Sequence, residues 1–174
     1  MLEGGDREMD RVIDVAGYVC EEYTRQYGSY IGETMLHKLL YLCQREMLAI
    51  INEPMFEEPF EGWRHGPVST SVRAHYKNGT CRLDVKTDDI SNEAKYVVNN
   101  VIAGYGGYTA RALSDLTHSE KSWQNARKGL SPEDVGHRYL SLDDIREDAL
   151  KVRPYDHVWD MYYDEFDDAE DSAR

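Results

Sequence analysis

The chain has 174 residues, the size of one domain, or one domain with a tail. Its 20 Lys and Arg stand against 33 Asp and Glu, a formal charge of -13, so a basic grip on nucleic acid is not expected as its main business. Apolar residues make up 41% and mean hydropathy is -0.69; this suffices for an ordinary core, and nowhere do the about 18 consecutive apolar residues of a membrane span occur.

The first ten residues carry Glu3, Asp6, Glu8 and Asp10 and no apolar stretch of the kind that directs secretion, so residues 1–10 are expected to be a disordered extension, with Met9 an alternative start. Cys20, Cys43 and Cys81 are odd in number and far apart, which implies no disulfide framework and fits a reducing, cytoplasmic setting. Arg11 to Tyr27 place Ile13, Ala16, Cys20, Tyr23 and Tyr27 at helical spacing, and Gly28 ends that helix. Leu36, Leu39, Leu40, Cys43, Met47, Leu48, Ile50 and Ile51 then give a wide apolar face on a helix expected to sit at the centre of the core and to stop at Asn52-Glu53-Pro54.

Met55 to His65 loses the helical period and reads as an ordered loop, partly extended. Gly66-Pro67 reads as the start of a helix over Val68 to Lys77, closed at Asn78-Gly79, and Cys81 to Lys86 as one short strand. Asn78-Gly79-Thr80 fits the glycosylation pattern but reads better as a cap or turn. Ser91 caps a helix carrying Ala94, Val97, Val98, Val101 and Ile102, and the glycines of Gly104 to Gly107 make a helix-helix turn after it. Thr109, Ser119, Ser131-Pro132 and Ser141 each mark a further helix start. The expected fold class is mainly α: a compact single-domain bundle of about six or seven helices with at most one short strand or hairpin, over residues 11–153.

Residues 154–174 change character. From Tyr155 onward eight acids face one base, Arg174, while Tyr155, Trp159, Tyr162, Tyr163 and Phe166 fall at helical spacing. A purely solvating tail lacks such aromatics, so a helix docking either on a partner or on the body is expected.

Chemistry is harder to find. There is no HExxH, CxxC, GxSxG or GxxxxGK[ST], so neither a catalytic centre, a metal site nor a cofactor is expected. Glu33 and His37, four apart, read as a surface pair. His65, with Arg64 beside it and the Gly66-Pro67 helix start after it, has two readings: an anion site at a helix amino terminus, or a histidine packed on Trp63 and tied to backbone. Thr117-His118-Ser119-Glu120 holds a hydroxyl, an imidazole and carboxylate, but neighbours along a helix point different ways and are better read as caps and buried hydrogen bonds.

Three separated segments nevertheless carry a resemblance. Met35-Leu-His-Lys-Leu-Leu-Tyr-Leu-Cys-Gln44, then Pro54-Met-Phe-Glu-Glu-Pro-Phe-Glu-Gly-Trp63-Arg-His-Gly-Pro-Val68, then Leu113-Ser-Asp-Leu-Thr-His118 with Trp123-Gln-Asn-Ala-Arg127 resemble, in order, the Panacea domain of SocA-like antitoxins and phage-associated GepA-like proteins. His37 stands where that family usually shows Gln, and the aromatic acidic tail departs from its common pattern. The resemblance implies an antitoxin that neutralises a cognate protein toxin, encoded next door, by direct binding and without catalysis. The toxin classes it implies are alarmone-synthetase-like enzymes, other translation inhibitors and membrane-active peptides. SocA-like members also imply an adaptor role that delivers the toxin to a Clp-type protease. The residues expected to meet the partner are Trp63, Arg64 and His65 on the body, and Tyr155, Trp159, Tyr162, Tyr163 and Phe166 on the tail. The alternative from charge alone is an acidic mimic of nucleic acid that inhibits a nuclease.

Overall fold

The structure is a computed structural model that describes residues 7–77, 80–81 and 87–152. Among the described residues seven α-helices run in chain order as α1 Val12–Tyr27, α2 Glu33–Ile51, α3 Thr70–Arg73, α4 Asn92–Tyr105, α5 Ala110–His118, α6 Lys121–Ala126 and α7 Leu142–Ala149, with a 3-10 turn at Thr87–Asp89. Two antiparallel hairpins join them, β1 Glu61–Trp63 with β2 Gly66–Val68, and β3 Tyr76–Lys77 with β4 Thr80–Cys81. The fold is mainly α, and the second hairpin is one more than the sequence pattern implies. Strand β4 falls at the start of the expected Cys81 to Lys86 strand, whose remainder lies outside the described residues.

Helix α2 is the axle. Every residue from Met35 to Leu48 is buried, because α1, α4, α5, α7 and β2 all pack around it. A helix surrounded in this way buries its polar positions too. Ile50 and Ile51, expected inward, are 37% and 36% exposed, since Asn52 turns left-handed (φ 56°) and ends the helix as it leaves the core. Helix α1 presents Val12, Val15, Ala16 and Val19 to the core; Ile13, Cys20 and Tyr23 are only half-buried. The small residues at i, i+3, i+4 and i+7 allow the closer approach, so this face prevails over the one expected through Ile13 and Tyr27.

Ser91, Thr109 and Ser141 cap α4, α5 and α7 as their positions imply, each side chain accepting a hydrogen bond from the amide three residues on. Ser119 instead closes α5, and α6 begins after Glu120, whose side chain makes no cap. The cap comes from elsewhere: the fully buried Asp148 of α7 accepts from the amides of Lys121 (2.8 Å) and Ser122 (2.9 Å). Ser131-Pro132 starts no helix. The Arg127 guanidinium donates to the carbonyls of Ser131, Asp134, Val135 and Gly62, and so holds this segment as a turn.

At the amino end, Arg7 to Asp10 are tied to the body, contrary to a disordered extension over the whole of 1–10. Asp10 accepts from the Ser91 amide and hydroxyl, both at 2.7 Å, and Arg7 donates to the Pro54 carbonyl at 2.6 Å. Residues 1–6 and the tail from 153 onward lie outside the described residues. No helix among the described residues is long and apolar enough to cross a membrane.

Candidate functional site

The expected helix start at Gly66-Pro67 is a hairpin instead. Trp63 pairs with Gly66 and Glu61 with Val68, which leaves Arg64 and His65 as the two exposed turn residues. The helix begins later, at Thr70, capped by the Ser69 hydroxyl. Gly66 sits at φ +128°, a conformation that favours glycine, and a Cβ there would lie 3.1 Å from Thr117 Oγ1 and 3.3 Å from Lys38 Cε. These constraints suit a two-residue hairpin turn over a crowded floor. They override the local helix-start signal.

The hairpin is held from three sides. The free edge of β1 pairs with the segment after α6, through Gly62 N–H to the Arg138 carbonyl and Arg64 N–H to the Val135 carbonyl, both 2.8 Å. Trp123 Nε1–H donates to the Trp63 carbonyl at 2.8 Å. At Gly62 a Cβ would stand 2.9 Å from that of Ala126, so glycine lets β1 lie directly on α6. Trp63 itself is half-buried: its indole N–H donates to Glu61 (2.6 Å), His137 meets its edge, and the Arg73 guanidinium lies 4.9 Å from its ring centre. Of the three body residues expected to meet a partner, Trp63 is therefore largely engaged in structure. Arg64 reaches Glu133 at 3.2 Å, with 46% of its side chain exposed, and His65 is exposed. Tyr155, Trp159, Tyr162, Tyr163 and Phe166 lie outside the described residues.

Beneath the turn lies a pocket of about 330 Å³, between the hairpin, the first turns of α2, and α3. His37 and Glu33 do pair, at 3.3 Å, but His37 is 2% exposed and belongs to the interior. The Ser69 amide donates to its Nδ1 (3.2 Å), so the proton sits on Nε2, which donates to Glu33. Burial pushes the imidazole below its usual range, with Glu33 opposing. Glu33 also takes a 2.8 Å ion pair from Arg73.

Next to His37, Lys38 is 2% exposed and lines the same pocket. Its ammonium has a single hydrogen bond, a 3.5 Å contact with the Thr34 carbonyl at the limit for such bonds, and no described carboxylate pairs with it. Burial alone lowers it to about 8. Sequence reasoning passed over Lys38 and Arg73. The available signal was a lysine inside Met35 to Leu42, where apolar residues occupy every side of the helix.

A second polar cluster lies further along α2. Arg45 and Glu120 form a buried ion pair at 2.8 Å, and the Tyr41 hydroxyl meets Ser122 (2.9 Å), Asp148 (3.1 Å) and Glu120 (3.3 Å). Burial, together with both carboxylates, drives the Tyr41 hydroxyl well above its usual range. Burial raises Asp148, but the donors around it outweigh that and hold it below the carboxylate range. This cluster is closed from solvent and built to bind α2 to α6 and α7. Glu120 belongs to it, and Thr117 and Ser119 bond to the carbonyls of Ser114 and Leu116, so these three serve the architecture; the His118 ring stacks on Trp123, and its buried Nε2 has no hydrogen-bond partner among the described residues. Among the described residues, no group of three or more His, Cys, Asp or Glu is placed to hold a metal ion.

Residues 36–124, half of the chain, match the family described as antitoxin SocA-like, Panacea domain. No curated protein and no solved structure matches the chain. The matched span opens in the first turn of α2, takes in the β1–β2 hairpin and the pocket lining except Glu33, Thr34 and Val135, and closes one residue past the α6 tryptophan that anchors the hairpin.

Proposed function

Because the chain belongs to the SocA-like antitoxin family built on the Panacea domain, we propose that it neutralises a cognate protein toxin by direct binding, without catalysis, in the cytoplasm. The observation that carries this reading to a surface is the Arg64-His65 turn. Two exposed residues, Arg64 paired with Glu133, sit on a hairpin clamped by Trp123, Arg127 and the Val135 to Leu140 segment, so they meet a partner with little ordering left to do. Their neighbour Trp63 stiffens the turn from below. The tail aromatics Tyr155, Trp159, Tyr162, Tyr163 and Phe166 supply a second, apolar contact with the toxin in this reading, and the acids around them steer a basic partner.

Co-expression with the product of the neighbouring gene tests the proposal. Growth rescue, with a complex that survives high salt and is lost in Arg64→Glu/His65→Ala, supports it. Rescue without a stable complex favours delivery of the toxin to a Clp-type protease. No rescue, or a complex that dissolves in salt, overturns direct toxin neutralisation in favour of an acidic nuclease inhibitor.

A further inference from the structure

We propose that the pocket beneath the Arg64-His65 turn binds a compact oxyanion, the phosphate or carboxylate group of a small molecule, with the Lys38 ammonium as its counter-ion. The charge of the pocket runs against that of the chain. Lys38, Arg64 and Arg73 line it, against Glu33 as its one acid, although the protein as a whole carries -13. Glu33 is already held by Arg73 and by the His37 Nε2–H.

Lys38 is the decisive group. A charge removed from water is costly unless paired, and the other buried cation of α2, Arg45, has its carboxylate at 2.8 Å. Among the described residues Lys38 has only the distant Thr34 carbonyl. An arriving oxyanion gives it the missing partner in a half-open pocket, where the attraction is stronger than in bulk water. Arg64, at the rim and shared with Glu133 at 3.2 Å, adds a weaker attraction on entry, and Trp63, Pro67 and Val68 give the apolar walls common in ligand pockets. A volume of about 330 Å³ suits a small metabolite. Ser69 fixes the neighbouring His37 with Nδ1 occupied, so Lys38 is the only buried cation the pocket offers.

The test needs no toxin and so fails or succeeds separately from the antitoxin reading. Inorganic phosphate and acetate are titrated calorimetrically into the full chain against sodium chloride of equal ionic strength, with the Lys38 side-chain titration followed by ¹³C NMR. Saturable binding is expected, with the Lys38 midpoint rising from about 8. Binding by phosphate points to a phosphate ester as ligand, and binding by acetate alone to a carboxylate. Lys38→Met should weaken binding at least about tenfold and Arg64→Ala about two- to fivefold, both with thermal unfolding intact. Undiminished affinity in Lys38→Met, or no saturable binding of either anion up to about 10 mM, overturns the proposal.

Discussion

Helix α2 carries two buried polar regions one turn apart, and they are built on opposite terms. Around Tyr41 and Arg45 the charges are paired or hydrogen-bonded, the Arg45 Nε–H excepted: Arg45 meets Glu120, Asp148 caps α6 and takes the Tyr41 hydroxyl, and the set is closed from solvent. At Lys38 a cation is buried as deeply, without a carboxylate among the described residues, beside a pocket that opens to solvent. Satisfied buried charge serves the architecture, while unsatisfied buried charge lowers stability and persists where something outside the fold makes use of it. The same helix shows both.

The sharpest way to break this contrast is at Asp148. Asp148→Ala leaves two α6 amides and the Tyr41 hydroxyl without their acceptor and should destabilise by about 3–5 kcal/mol, read by urea unfolding. A loss below about 1 kcal/mol would show that the cluster is not what joins α6 to the body. Arg45→Met should cost about 3 kcal/mol by stranding the Glu120 carboxylate, and the double change with Glu120→Leu should recover most of that, a coupling that a double-mutant cycle measures directly.

At the pocket the sign reverses. Lys38→Met should stabilise by about 0.5–2 kcal/mol at neutral pH, since it removes an unpaired buried cation while keeping the stem volume. A destabilised variant would mean that the ammonium has a partner within the fold.

Acid provides a subtler probe. His37 and His118 both titrate below the ordinary histidine value of 6.5, chiefly through burial. The unfolded chain therefore binds more protons than the folded one from pH 6.5 down to the folded values, and stability falls as pH drops through that window. Each group adds a slope of at most about 1.4 kcal/mol per pH unit. His37→Gln, which can still accept from Ser69 and donate to Glu33, should flatten that slope and leave neutral stability nearly unchanged; an unaltered slope would remove His37 from the acid response.

Smallest in stability, within about 0.5 kcal/mol, should be Arg64→Ala and His65→Ala, because both side chains are exposed on the turn. Growth assays should still register them. If both leave rescue intact, the docking surface lies elsewhere.

Helix positions were legible wherever a local rule governs them. Ser91, Thr109 and Ser141 cap as their chemistry dictates, Gly28 closes α1 left-handed at φ 71°, and the span of α2 follows from its apolar run up to Asn52-Glu53-Pro54. Local rules failed at Gly66-Pro67 and Ser131-Pro132. Both satisfy the requirements for a helix start, and in both a competing partner a few residues away claims the backbone, β1 across the two-residue turn in the first and the Arg127 guanidinium, on the Ser131 and Asp134 carbonyls, in the second. The candidate site was legible only at its rim. Arg64 and His65 stood out in the sequence, whereas Lys38 and Arg73 became site residues once hairpin and α3 were folded over α2.

By itself, then, the sequence determined the mainly helical class, the central helix, most caps and the family resemblance, because periodicity, capping and motif order are properties of neighbours along the chain. Tertiary structure alone decided that α2 is enclosed on all sides, and with it which of its charges are paired. An i, i+4 spacing places Glu33 beside His37, and the apolar run around Lys38 signals its burial, but nothing local tells that Glu120 comes 75 positions along to meet Arg45, or that no carboxylate among the described residues arrives for Lys38. Burial and charge pairing depend on which distant segments pack together, and the electrostatics of this protein follow from that packing.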